Sequence, residues 1–163
     1  MSLEVTIYNR QRMRPVSVLL LRKIAITLCG ELLQLKDGEL SVVLLPAREM
    51  TRLNERFLQH AGSTDVITFN YSEQTTHNQP QGSGLHGEIF ICVDEALIQA
   101  RRFHTTWQVE SVRYLVHGAL HLLDYDDQRI EERRQMKREE NRLVRELVRR
   151  FPVRKLARDP TSR

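Results

Sequence analysis

Cysteine is scarce: the chain of 163 residues has two, Cys29 and Cys92. They lie far apart, each inside an apolar segment, without the spacing of a zinc ribbon or a redox pair. They read as buried thiols of a protein from a reducing, cytoplasmic compartment. Long hydrophobic runs are also missing. Stretches such as "VSVLLL" at Val16–Leu21 fall far short of the roughly 18 apolar residues a membrane-spanning helix needs, so no membrane is expected among the partners. The opening "MSLEVTIYNR" has an early acidic residue and no apolar stretch of the kind a secretory leader carries. Aromatic residues make up 6% of the chain and hardly interleave with the arginines, which argues against base stacking along the basic segment.

With 40% apolar and 28% charged residues, the composition suits one globular domain with its own core. The net charge of +4 conceals an asymmetry. Residues 1–128 hold 12 Lys/Arg against 15 Asp/Glu, whereas residues 129–163 hold 13 against 6. A basic end on a near-neutral body suits contact with an anion such as nucleic acid. A solvated helix followed by a basic tail accounts for the same charges.

Periodicity predicts a first strand at Glu4–Asn9 and a helix opened by Pro15 and running through Val16–Leu35. Strand Leu40–Pro46, helix Ala47–Leu58 and strand Thr64–Tyr71 follow. Thirteen residues without an apolar face, Ser72–Gly84, predict a mobile loop of the kind that borders binding sites. Beyond it come strand Leu85–Val93, a helix capped by Asp94 and a helix over Gln108–Leu123. In the last helix Ile130, Met136, Leu143, Leu147 and Phe151 mark the buried stripe, and Pro152 ends it. The order β-α-β-α-β-β-α-α-α predicts a single α/β (α+β) domain over residues 1–152, with a small four-stranded mixed sheet and packed helices. Residues 153–163 read as a basic, disordered tail.

The run "HGALHLLDYDD" (His117–Asp127) carries the chemistry. Histidines at i and i+4 share one helix face, the arrangement of helical two-histidine zinc sites. A bare H-x-x-x-H also serves as a simple hydrogen-bonded pair. Here, however, a helix break follows, and Asp124, Asp126 or Asp127 can fold back as a carboxylate ligand. A zinc peptidase would need glutamate directly after the first histidine as its base. Gly118 stands there instead, a residue suited to the close approach of another backbone or a substrate.

The segment "LVHGALHLLDYDD" resembles the signature H-G-x-L-H-L-x-G-Y-x-H of the YbeY family, single-strand-specific, metal-dependent endoribonucleases that mature ribosomal RNA. Two upstream blocks agree in order and distance, "LNERFLQHAGSTDVITF" (Leu53–Phe69) and "GEIFIC" (Gly87–Cys92). The resemblance implies one zinc per chain on His117, His121 and Asp127, the last standing where the commonest family residue is histidine. It implies a fourth position open to water, whose pKa such a metal lowers to about 7. Asp124 replaces the family glycine before Tyr125, a change that puts slight strain on a left-handed helix end. Leu58 falls where many members carry an arginine assigned to RNA phosphate, so that contact does not transfer.

The function so implied is endonucleolytic maturation of the 3′ end of small-subunit ribosomal RNA, together with ribosome quality control. Small-subunit ribosomal proteins or an assembly GTPase are the further partners. Arg52, Arg56, Arg101 and Arg102 are the candidates for RNA phosphate contact. The general base is unassigned, with Glu88 as its candidate; Glu88 reads equally as an acceptor for a group that ligates the metal or as a plain strand-end charge. Thr64 and Asp65 read as fixing the strand end next to the histidine helix, and the alternative is that Asp65 orients a ligating histidine. The competing reading is a zinc-stabilised ribosome-assembly factor with little catalysis, in which Asp124 or His86 closes the fourth position.

Overall fold

The computed structural model describes residues 2–58, 64–72 and 84–157. The side chain of Leu58, His60, His77 and most of the Ser72–Gly84 loop lie outside the described residues. Four strands, β1 (Leu3–Asn9), β2 (Gly38–Leu45), β3 (Val66–Asn70) and β4 (Leu85–Cys92), form one sheet in the order β1-β2-β4-β3. β1, β2 and β4 are parallel, and β3 runs antiparallel along the outer edge of β4. Five α-helices complete the domain: α1 (Val18–Ile26), α2 (Ala47–Leu53), α3 (Val93–Phe103), α4 (Trp107–Leu122) and α5 (Ile130–Arg150). The α+β class and the number of strands agree with the sequence reading. No helix among the described residues is long and apolar enough to cross a membrane.

The alternation of side chains along the strands decides which face each helix covers. Leu40, Val42 and Leu44 of β2 and Leu85, Ile89 and Ile91 of β4 form the main core with α1, α4 and α5. The opposite face is covered only in part. There Val43, Leu45, Ile67 and Cys92 pack on Met50 of α2. The uncovered remainder is a cavity of about 490 Å³ lined by Tyr8, Arg10, Glu39, Ser41, Tyr71, His86 and Glu88, among others.

Two stretches depart from the sequence reading. Pro15 does not open α1. Val16 instead bridges Ala157, and the Ser17 hydroxyl caps the helix by accepting from Leu20 N–H at 3.3 Å. After Ile26 the helix widens into a π turn over Thr27–Leu32. The tail does not fray directly after Pro152, as a basic composition suggested. Val153 and Leu156, three residues apart in a short 3-10 turn, are buried in the main core, and the Leu156 carbonyl accepts from Ser17 N–H at 2.8 Å. Two apolar side chains outweigh the charges beside them.

Candidate metal centre

The Thr106 hydroxyl caps the start of α4, accepting from Val109 N–H at 3.2 Å. Val112, Leu115, Val116, Ala119 and Leu120 bury most of the helix surface. α4 lies so close to β4 that a Cβ on Gly118 would stand 2.8 Å from Ile89 Cγ2. A Cβ on Gly87 would likewise stand 2.8 Å from the Leu122 methyls. Gly118 is thus explained by close packing on the sheet. This seating leaves His117 and His121 along the unburied flank, each side chain 29% exposed.

The reversal after α4 brings the carboxylate back. Asp124 N–H donates to the His121 carbonyl at 3.0 Å and Tyr125 N–H to the Leu120 carbonyl at 3.0 Å. This is the paired bonding of a Schellman helix end, with Asp124 in the left-handed position at φ 68°. Asp126 Oδ1 then accepts from Gln128 N–H at 3.1 Å, and Arg133 Nε donates to the Asp127 carbonyl at 3.0 Å. The turn is closed from both ends, and the Asp127 side chain points back toward α4.

His117 Nε2 and His121 Nε2 are 3.0 Å apart, and Asp127 Oδ2 is 3.7 Å from His121 Nε2. One ligand atom from each of the three residues lies within 4.8 Å of the other two. Two nitrogens on one tetrahedral zinc, at 2.0–2.1 Å each, stand about 3.3 Å apart, so the spacing fits that ion. Among the described residues no further His, Cys, Asp or Glu joins the group. Asp124 lines a separate recess with Asp126 and Glu132, and His86 lines the cavity on the opposite sheet face.

A residue not singled out from the sequence, Glu140 of α5, braces the site. Its side chain is 5% exposed and accepts from His117 Nδ1 at 2.8 Å, Arg113 Nη1 at 2.8 Å and Lys137 Nζ at 2.9 Å. Burial alone would push this carboxyl up, but the three hydrogen bonds outweigh it and hold the pKa at about 2. A permanent carboxylate at Nδ1 assigns the ring proton to that nitrogen and leaves the Nε2 lone pair facing the ligand cluster. His121 is held below its ordinary pKa, first by burial and then by the neighbouring His117. The lowered pKa of His121 favours its neutral, metal-binding form. A signal for Glu140 existed in the sequence: it interrupts the buried Met136–Leu143–Leu147 stripe with a charge.

The other candidates lie elsewhere. Glu88 projects from the β4 face opposite α4, where Tyr71 Oη donates to Glu88 Oε1 at 2.5 Å. That hydrogen bond holds the Tyr71 phenol up at about 12. Glu88 and the two histidines are therefore on opposite sides of the sheet, which leaves the general-base reading without a geometric path. Asp65 Oδ1 accepts from Thr64 Oγ1 at 3.3 Å and Val66 N–H at 2.8 Å. It closes the start of β3, and the partner at His117 Nδ1 is Glu140. Arg52 and Arg56 are exposed on α2 and the π turn that follows, and Arg56 lies 5.3 Å over the Phe57 ring. Arg101 and Arg102 are in the last turn of α3, which leads into the start of α4. His117 begins about 15 Å further along α4, at 1.5 Å per residue. Arg113 and Lys137 reach the carboxylate that bonds His117, and Arg133 bonds the Asp127 carbonyl.

Residues 6–148 match the model of the family described as Endoribonuclease YbeY. The chain belongs to the YbeY family. It is 33% identical over 147 residues to Endoribonuclease YbeY of Chlorobium luteolum, covering 90% of this chain and all of that one. Its identity to the namesake of Elusimicrobium minutum is 38% over 110 residues, 67% of this chain and 74% of the relative. Among solved structures, TM1509 from Thermotoga maritima superposes with a TM-score of 0.63 at 25% identity, covering 98% of this chain and 99% of the other. The matched region contains His117, His121, Asp127 and Glu140.

Proposed function

We propose that this chain is a zinc-dependent endoribonuclease that cuts single-stranded RNA, with precursor small-subunit ribosomal RNA as its substrate and the 3′ end of that RNA as its place of action. The observation that carries the reading is the convergence of His117, His121 and Asp127 with no fourth protein ligand among the described residues. An open position is what distinguishes catalytic from structural zinc. The family's name supplies the reaction class.

The residues divide the work. Glu140 fixes the His117 tautomer, and Arg113 and Lys137 keep Glu140 ionised. The Schellman reversal at Asp124 and the Arg133 bond hold Asp127 in reach. Zinc held there supplies Lewis acidity toward a phosphoryl oxygen and an acidified water. Asp127 in place of a third imidazole adds a negative charge, which tempers that Lewis acidity. Arg52 and Arg56 stay as contacts for RNA further from the metal, and the general base stays unassigned. A cytoplasmic setting, a role in ribosome quality control, and delivery of substrate by small-subunit proteins or an assembly GTPase belong to the same proposal. The zinc-stabilised assembly factor is disfavoured because neither Asp124 nor His86 closes the site.

The test is metal analysis of untagged protein purified without chelator, alongside cleavage of single-stranded and duplex RNA. Wild type is expected to hold about one zinc per chain, as a three-ligand site predicts, and to cut the single strand. Asp127→Ala is expected to lose both properties. Metal retained unchanged in that variant removes Asp127 from the site. Stoichiometric zinc without cleavage of any RNA moves the chain to the assembly-factor reading.

A further inference from the structure

The charge excess of the C-terminal segment has a defined place in the fold. α5 buries Met136, Glu140, Leu143, Val144 and Leu147. On its outward side Arg134, Arg138 and Arg145 recur at spacings of four and seven residues, all exposed, so they form one stripe along the helix. From Arg134 to Arg145 the stripe runs about 16 Å at 1.5 Å per residue. Its neighbours are already neutralised: Arg142 is paired with Glu139, and Arg149 with Glu146. Among the described residues Arg134, Arg138 and Arg145 have no ion pair. Three like charges on one face repel one another and add nothing to the core, so an anionic partner is what their arrangement suits.

We infer that the outward face of α5 is a second RNA-binding surface, on which Arg134, Arg138 and Arg145 take backbone phosphates outside the metal centre. This rests on RNA being the substrate. Phosphodiester backbone fits the stripe better than an acidic protein surface does. Guanidinium forks match phosphate and carboxylate oxygens alike, so the choice rests on RNA being the substrate and on the lack of an apolar anchor within the stripe. A protein interface would need apolar or aromatic anchors at its centre, and the exposed apolar residues of α5, Ile130 and Val148, stand at its two ends, outside the stretch from Arg134 to Arg145. The helix that carries the stripe also carries Glu140 and Arg133, which hold His117 and the Asp127 turn. RNA seated on α5 is thereby tethered to the element that builds the metal centre. Contacts of this kind hold the strand without reading its sequence.

The test uses the full chain and a fluorescent single-stranded RNA of about 16 nucleotides, the upper site size of a single-strand-binding fold. Binding to the metal-loaded chain is followed by anisotropy across a salt series at low temperature, with the RNA checked for cleavage after each reading. The triple variant Arg134→Gln, Arg138→Gln, Arg145→Gln is compared with wild type and with Arg142→Gln, Arg149→Gln. Each phosphate contact contributes about 0.7 to the slope of log affinity against log salt for single strands. The triple variant is expected to lose about 2 from that slope and to bind at least tenfold more weakly at low salt. The double variant is expected to lose less than half as much. Zinc content, and cleavage of an RNA too short to extend from the metal centre onto the arginine stripe, should be unchanged in the triple variant. Equal slopes for wild type and triple variant overturn the inference, even if both cleave RNA. Tighter binding of polyglutamate than of RNA, lost in the triple variant, overturns RNA as the occupant. Loss of RNA binding in the triple variant upholds the surface even where wild type proves unable to cleave, in which case the nuclease reading alone fails.

Discussion

Glu140 shows how much one side chain contributes when it is buried among partners. It links His117 to Arg113 and Lys137, and its pKa near 2 keeps it ionised. Glu140→Gln retains the shape but loses the charge. It is expected to weaken zinc binding about 10–100-fold, as changes behind a ligating histidine do, measured by competition with a chromophoric chelator. The same carboxylate shapes acid stability. Because its folded pKa lies below the ordinary 4.5, its contribution is present above that value and is lost as the pH falls toward 2. Urea midpoints of the metal-free wild type should therefore drop between about pH 5 and pH 2 more steeply than those of Glu140→Gln. Equal slopes would mean that the three hydrogen bonds do not distinguish folded from unfolded chain. Cys29, fully buried and with a thiol pushed up to about 12 by burial, takes no part in the site.

Among the elements, α4 is under the tightest constraint, at both its middle and its end. Gly118 admits the helix to within contact of Ile89. Gly118→Ala gains up to about 1 kcal/mol of helix propensity but forces a methyl into a filled space, at about 1–3 kcal/mol. A net loss of about 1–2 kcal/mol in urea unfolding is expected. A stabilised variant would show that α4 can back away from the sheet. At the helix end, Asp124 occupies a left-handed position at φ 68° that glycine adopts without strain. Asp124→Gly is expected to raise stability by about 0.5–1 kcal/mol, seen as a higher Tm, with the metal ligands kept in place. The π turns after α1 and α2 had no counterpart in the periodicity of the sequence. Apolar spacing reports which side of a segment is buried, and a single widened turn barely alters it.

For the whole molecule, the candidate metal centre joins α4, the turn after it and α5. Zinc taken up by the folded state alone would stabilise it by mass action, by about 2.7 kcal/mol at a free concentration 100 times the Kd. Removal of metal is expected to lower the Tm of wild type and to leave that of Asp127→Ala unchanged, read by calorimetry with and without chelator. The sheet has a corresponding asymmetry. One face is closed by α1 and α4, and the other is covered by α2 over only part of its length. That division separates Glu88 and His86 from the histidines of α4, although Glu88 lies only 29 residues before His117 in the sequence.

The sequence by itself determined the α+β class, the strands, the helix that carries His117 and His121, and the candidate acids just beyond it. Those features are local: alternation, helical spacing and the i, i+4 rule act within a few residues. Only the tertiary structure decided how Asp127, which the family resemblance already implied, meets the histidines, and that Glu140 joins them. Asp127 returns to them through a left-handed residue and two terminal hydrogen bonds, and Glu140 reaches His117 across 23 positions of chain. Strand alternation turned Glu88 away, and Val153 and Leu156 folded what composition marked as a tail into the core. These outcomes depend on which faces of distant segments pack together, and a one-dimensional pattern constrains that only through the apolar surface each segment must bury.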